Sequence, residues 1–359
     1  MIALRFPSLN DKSWHARTIL ALAAAFVLLT SISLSYGASV STAVPRIVSS
    51  TAIFELVDGD WRCAKLLEGK GPELFKDIQA GDVLAAIGPR DLHNASILTL
   101  LYTLRRVEFG LETEATLLRS GTSLKITSSV PKSPHDVVVT SQDSPVVLQG
   151  NVPGIQAGDK IVAYGDKAWS MFSADFAHGS MPAEMMVLKA GTVIIIQRKG
   201  AQSRVVTRDS TFASFLLLPD YSDANLPILD STVLHGLNVN DRALTSFRGH
   251  WTLLHFWASW CAPCIKMTPA VRSLTALNGL QPASIGFSDS PEQLKTYAEK
   301  EKIPAAFAPD PALATRLGIS GIPYDLLLDP QGEPMLATQG LLSASDFQKL
   351  VASYVEGSN

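Results

Sequence analysis

At 359 residues the chain is long enough for two or three domains. Its 30 basic and 33 acidic residues nearly cancel, and no basic run or interleaving of aromatic with basic residues occurs, which excludes nucleic acid as a partner. Its three cysteines fit an oxidising compartment, where idle thiols are disfavoured. In chain order, Arg5, Lys12 and Arg17 precede an apolar run from Ile19 to Leu29, which fades through Thr30 to Leu34 into small residues. A basic start, an apolar middle and a small-residue end make a secretory signal, with cleavage expected after Gly37, Ala38 or Ala43. Thr18 to Ala38 is also just long enough to remain as a signal anchor, since a span needs about 20 residues. Either reading keeps the positive charges inside and exports the remainder to the periplasm or an equivalent extracytoplasmic space, secreted or membrane-tethered. Residues 1–43 are therefore set apart from the globular fold, and without a Leu-X-X-Cys after the run no lipoprotein is expected.

An internal repeat follows. Gln79-Ala80-Gly81-Asp82-Val83-Leu84-Ala85-Ala86-Ile87-Gly88 returns at 156–165 as Gln-Ala-Gly-Asp-Lys-Ile-Val-Ala-Tyr-Gly. Helix-like stretches come next, Ser96 to Arg105 in the first copy and Ser173 to Ala177 with Met181 to Leu188 in the second. Each copy closes on a β-rich run and a basic turn, at 115–121 and 193–200. Gly81 and Gly158 suit tight turns of positive φ, with Asp82 and Asp159 bonding the turn backbone. Two β-rich α+β modules of one design are expected, at 50–140 and 141–215, with a proline-flanked linker at 216–227.

The Ala-Gly-Asp strand, the helix and the Arg-X-Gly hairpin resemble PDZ domains of bacterial envelope proteins. That resemblance implies a peptide ligand added as a strand to a sheet edge, its carboxylate held by backbone N–H groups. Neither copy has a clear glycine-rich carboxylate loop, Gly69-Lys70-Gly71-Pro72 and 150–154 being rough candidates, so a PDZ-like spacer or oligomerisation module stands beside the peptide-binding reading. Cys63 is read either as a small buried hydrophobe or as a bridging thiol.

Residues 228–359 carry the chemistry. Trp251 to Trp257 reads as a buried strand and Ile265 to Leu277 as a helix kinked by Pro269, with Cys261-Ala262-Pro263-Cys264 between them. A Cys-X-X-Cys at that junction puts its first sulfur at a helix N-terminus, where unsatisfied N–H groups and the helix dipole favour thiolate. Thiolate is the nucleophile in disulfide exchange. Ser290-Pro291-Glu292-Gln293 and Asp310-Pro311 read as helix starts.

Phe256-Trp257-Ala258-Ser259-Trp260-Cys261-Ala262-Pro263-Cys264, with Pro269 beyond, resembles the active-site segment of thioredoxin-fold proteins, above all the extracytoplasmic TlpA/ResA-type disulfide reductases. The resemblance runs from about Leu226 to Val355: a lead-in hairpin within 226–249, a strand at Ser284 to Asp289, Gly321-Ile322-Pro323, and a strand at Leu326 to Asp329 before the turn at Gly332. It implies an α/β thioredoxin fold without cofactor or metal, acting as a protein-disulfide reductase. Cys261 would be the exposed nucleophile, the more buried Cys264 would resolve the mixed disulfide, and the pair would form the redox-active disulfide. Pro323 would be cis, turning the Ile322 backbone toward an extended substrate. Trp260 would shape the substrate rim, and Ala262 and Pro263 would set the thiolate environment. Partners implied are a disulfide-bearing client, such as an apocytochrome c or a copper-site protein, and a membrane thiol donor of electrons.

Two positions depart from the family. His255 stands six residues before Cys261, where thioredoxins carry a buried Asp; it is read as a substitute proton acceptor or as a core histidine bonded to backbone. Asp325, just beyond Pro323, is read as a solvated strand-end carboxylate or a charge facing the substrate groove. The alternative function is an envelope adaptor whose thioredoxin domain only senses redox state; such a domain would be expected to lose a cysteine or Gly-Ile-Pro, and both are kept. A peroxidase lacks its required threonine before Cys261, and a metal site at the cysteines has too few ligands.

Overall fold

The computed structural model describes residues 44–49, 52–67, 75, 77–108, 110–128, 137–140, 145–150, 152–172, 191–207, 215–218, 224–319, 321–340 and 342–357. The export segment expected at 1–43 and the second-copy helical stretches expected at 173–177 and 181–188 lie outside the described residues. Among the described residues no helix is long and apolar enough to cross a membrane.

The first copy of the repeat folds as β1 (Arg46–Val48), β2 (Ala52–Val57), β3 (Asp60–Leu66), β4 (Val83–Ile87), β5 (Arg90–Asp91), α1 (Ile97–Glu108), β6 (Glu114–Arg119) and β7 (Thr122–Thr127). The second folds as β8 (Val137–Thr140), β9 (Val147–Gly150), β10 (Lys160–Tyr164), β11 (Lys167–Ala168), β12 (Val193–Arg198), β13 (Ala201–Val206) and β14 (Phe215–Leu218). Both copies make the same turn before β4 and β10. Gly81 and Gly158 take φ of +94° and +89°. Asp82 Oδ2 accepts the Gln79 N–H at 2.7 Å, and Asp159 Oδ2 accepts that of Gln156 at 2.8 Å.

Each buried turn carboxylate is also gripped by an arginine from the closing hairpin. Arg119 Nε and Nη2 donate to Asp82 at 2.8 Å each, and Arg198 Nε and Nη2 donate to Asp159 at 2.6 and 2.7 Å. The repeated Arg-X-Gly is thus one half of a bidentate ion pair that pins the hairpin to the turn. The arginine hydrogen bonds hold both carboxyls below their ordinary range.

Module boundaries differ from those read in the sequence, because strand partners outweigh local composition. β1 precedes residue 50 yet pairs with β2. Val137–Thr140 pairs with β9 and β14, which moves it from the first module into the second. Residues 215–218, where the linker was expected to begin, form β14. The second module encloses its own core of Val139, Val147, Ile161, Tyr164, Trp169, Ile194 and Ile196.

The C-terminal part comprises β15 (Val233–Leu234), β16 (Arg242–Ala243), β17 (Trp251–Trp257), α2 (Ala262–Leu274), β18 (Leu280–Gly286), α3 (Pro291–Glu301), β19 (Ala306–Phe307), α4 (Pro311–Arg316), β20 (Tyr324–Leu328), β21 (Pro334–Gln339) and α5 (Ala344–Glu356). β15 and β16 are the lead-in hairpin. The capping box at Ser290 and the Asp310 cap start α3 and α4 as read from the sequence. Pro269 lies inside α2. The strand expected at 284–289 ends at Gly286, the Phe287 N–H to Trp257 carbonyl bond at 2.9 Å still belonging to its parallel pairing with β17.

One sheet unites this part with the first module, in the order β19-β18-β17-β20-β21-β1-β2-β3-β4-β6-β7 with β5 on β4. β1 is the join. It runs antiparallel to β2, with Ile47 opposite Phe54, and parallel to β21, with Ile47 opposite Ala337. Its two apolar side chains point to opposite faces. Ile47 enters the core shared with α1 and the first module, and Val48 enters the core beneath α2 and α5. Tyr102 and Arg105 of α1 donate to the carbonyls of Arg316 and Gly318, the latter at 3.1 Å.

Two outcomes follow from these contacts. Ile47→Ala should cost about 2–5 kcal/mol. Thermal unfolding should show the first module and the C-terminal part losing structure in one shifted transition, with the second module unmoved. Because folding lowers the Asp82 and Asp159 pKa values, their pairs stabilise the protein above the ordinary carboxylate range, about pH 3.9. That contribution should vanish as pH falls through the depressed folded values. In urea titrations, Asp82→Asn with Asp159→Asn should therefore flatten the acid limb of stability.

Candidate active site

All seven residues of β17 are buried, as befits a strand covered on both faces. Alternation divides them. Leu254 and Phe256 face the core shared with the first module, while Leu253 packs with Met267, Ala270, Val271 and Leu274 of α2, and Trp257 with the cysteines. His255, between Leu253 and Trp257, therefore lies on the α2 face.

Cys261 is the N-cap of α2, and Cys261 and Cys264 are joined as a disulfide with Cα atoms 5.2 Å apart. Cys261 Sγ also accepts the Cys264 N–H at 3.2 Å. On reduction this N–H and the helix N-terminus stabilise charge on that sulfur. Cys261 was expected to be exposed, but in the disulfide it is 3% accessible and Cys264 2%. Trp257, Ala258, Leu294, Ala298, Ile303 and Ala306 enclose the pair, with Ile322 packed against the cluster. The exposed surface belongs to the neighbours: Trp260 is 62% accessible and Ala262 and Pro263 are exposed. The Ile322–Pro323 peptide is cis. Asp289, from the loop after β18, accepts the Ser259 N–H at 2.6 Å and so ties down the backbone two residues before Cys261.

The two departures turn out to be one feature. His255 Nδ1 lies 2.7 Å from Asp325 Oδ1, each residue 2% accessible. Neither expectation for Asp325 holds, since it is neither solvated nor facing a groove: antiparallel pairing of β17 with β20 sets it opposite His255 inside the sheet. The histidine's partner is a side chain rather than backbone. Where the carboxylate accepts from Nδ1, Nε2 is the ring nitrogen left over. Thr338 Oγ1 donates to Asp325 Oδ2 at 3.2 Å from the register-matched position on β21. On the other side Ser284 of β18 stands opposite His255, buried, and among the described residues its hydroxyl has no partner. Ser284, His255, Asp325 and Thr338 thus form a polar row across four strands. The sequence carried a signal for it, two ionisable residues in strand patterns, but only the register brings them together.

Tyr324, next in the chain to the row, points to the opposite face, edge-on to Phe256 at 6.4 Å. Burial raises its phenol pKa, opposed by Arg105 of α1. Cys63 is fully buried in β3 and burial pushes its thiol up to about 11, as for a small core hydrophobe. Among the described residues no group of three or more His, Cys, Asp or Glu could hold a metal ion.

Residues 242–354 match the thioredoxin-like domain family. The C-terminal third has a thioredoxin fold. It is 22% identical over 126 residues to the thiol-disulfide oxidoreductase ResA of Geobacillus thermodenitrificans, spanning 34% of this chain and 72% of that protein. To the thiol:disulfide interchange protein HelX of Rhodobacter capsulatus it is 27% identical over 112 residues, 30% of this chain and 63% of the relative. Among solved structures, StoA from Bacillus subtilis is similar at 19% identity and a TM-score of 0.31, covering 35% of this chain and 99% of that one.

Asp325→Ala would strand a buried imidazole N–H and the Thr338 hydroxyl. It should lower the stability of the oxidised protein by about 3 kcal/mol, read by urea unfolding.

Proposed function

We propose that this chain is an exported thiol:disulfide oxidoreductase that reduces disulfides in client proteins. The Cys261–Cys264 pair at the N-terminus of α2 carries the reading. In the reduced form, Cys261 thiolate attacks one sulfur of the client disulfide; a mixed disulfide forms and the other client sulfur leaves as thiolate. Cys264 then loses its proton and attacks Cys261 Sγ, expelling the second client thiolate. The client ends as a dithiol and the enzyme as a disulfide, two electrons having passed between them.

His255 fits the role of acceptor for the Cys264 proton: it lies on the α2 face of β17, and Asp325 fixes the tautomer that leaves Nε2 basic. Trp260, Pro263 and Ile322 form the surface a client meets, with cis-Pro323 at its side. Clients in keeping with the ResA and HelX likeness are apocytochromes c before haem attachment, or copper-site proteins. A membrane thiol donor would restore the dithiol, since an exported protein has no direct access to cytosolic reductant. The PDZ-like modules would recruit or position partners. The adaptor reading, with a redox-sensing thioredoxin domain, predicts no turnover.

Equilibration with glutathione and dithiothreitol should give a potential near about −270 mV, the value for thioredoxin, whereas one near about −120 mV would mark an oxidant. Cys261→Ser should abolish insulin reduction and Cys264→Ser should accumulate mixed disulfide. His255→Gln should slow resolution of the mixed disulfide about 10²-fold while leaving the initial attack unchanged, as read by stopped-flow. Loss of both steps together would reject its role as base.

A further inference from the structure

The chain between α4 and β20 passes from Arg316 to Tyr324 and carries Ile322, which packs against the cluster enclosing Cys261 and Cys264. What holds this segment comes largely from another part of the protein. The Arg316 carbonyl, at the end of α4, and the Gly318 carbonyl, two residues on, have no donor in a helix ladder. Both are met by α1 of the first module: the Tyr102 hydroxyl donates to the Arg316 carbonyl, and Arg105 Nε donates to that of Gly318 at 3.1 Å. Arg105 is itself buried, and its Nη1 donates to Glu108 one turn on, so the guanidinium is fixed in place. Leu317 and Ile319 enter the same apolar core as Leu100, Leu104 and Val107 of α1.

The far end of the segment meets the same helix. Tyr324 opens β20 and is buried, and Arg105 and Glu108 are the α1 charges that act on its phenol. Arg105, Glu108, Gly318 and Tyr324 line one cavity of about 20 Å³. α1 therefore stands beneath the segment both where it leaves α4 and where it enters β20. Ile322 lies between these two points, on the way to the disulfide.

We propose that α1 of the first module belongs to the redox site, as the element that sets the path of an extended client past Ile322, with Arg105 and Tyr102 as positioning residues. This rests on the reductase reading above and names the class of disulfide it favours. A small disulfide presents only its sulfurs to Cys261 and needs nothing from the segment. A protein client must also lay the chain around its cysteine along Ile322. The first module thus favours disulfides in extended polypeptide by placing the segment, without a client contact of its own.

The test compares the pre-reduced exported protein with its Arg105→Gln variant in single turnovers of insulin and of hydroxyethyl disulfide, the enzyme dithiol being trapped by acid quench and alkylation. Arg105→Gln should slow oxidation by insulin at least about tenfold, because misplacement of a positioning group far from the chemistry costs rate. Oxidation by hydroxyethyl disulfide and the potential against glutathione should stay unchanged. Unchanged insulin kinetics overturn the proposal. So does equal slowing on both disulfides, which would mean that the dithiol itself is disturbed. Should Arg105→Gln fail to fold, Tyr102→Phe, which removes one hydroxyl, is read on the same terms. If the unaltered protein reduces neither disulfide, the redox reading falls and hydrogen exchange decides the placement. Faster exchange at Gly318 and Ile319 in Arg105→Gln, with β17 still protected, upholds it; unchanged exchange there rejects it.

Discussion

Three residues, Arg46 to Val48, hold the architecture together. A thioredoxin-fold sheet ends at β21 and a module sheet begins at β2; each alone would leave a row of unpaired backbone groups. β1 satisfies both rows at once. Because Ile47 and Val48 enter cores on opposite faces, the join is anchored by packing as well as by hydrogen bonds. The redox part and the first module are in consequence one continuous sheet with α1 laid across the seam, where it contacts both β1 and β21.

That seam reaches the chemistry. Thr338, which orients Asp325, sits directly opposite Val48, so the polar row under α2 ends where the first module begins. Tyr324, at the end of β20 beside cis-Pro323, feels Arg105 and Glu108 of α1 through its electrostatics. The polar row is thus built from residues of the thioredoxin-like part, and β1 lies beside its Thr338 end. A buried histidine–aspartate pair is costly to desolvate, and this arrangement spares part of that cost by satisfying the second carboxylate oxygen with the Thr338 hydroxyl.

Much of this was legible in the sequence, for identifiable reasons. The apolar run at 251–257 and the capping signals at Ser290 and Asp310 are local, and they matched the observed elements closely. The repeated Ala-Gly-Asp turn was readable because glycine and aspartate have few other ways to satisfy its backbone. Longer-range pairing was hidden. Nothing near Asp82 announces Arg119, nothing near His255 announces Asp325, and the three residues of β1 resemble an unstructured lead-in. The linker reading at 216 failed for the same reason: Phe-Leu-Leu-Leu before a proline is ambiguous until its partner strand is known.

The join also shapes how the chain must be made. Arg46–Val48 is made well before its second neighbour, Leu336–Thr338. Until then β1 and β2 present an open, apolar edge with no native occupant on one side. Contacts this remote in sequence form slowly, and an unpaired edge in the meantime invites pairing with other chains. The interval at risk is therefore set by the length of chain between β1 and β21.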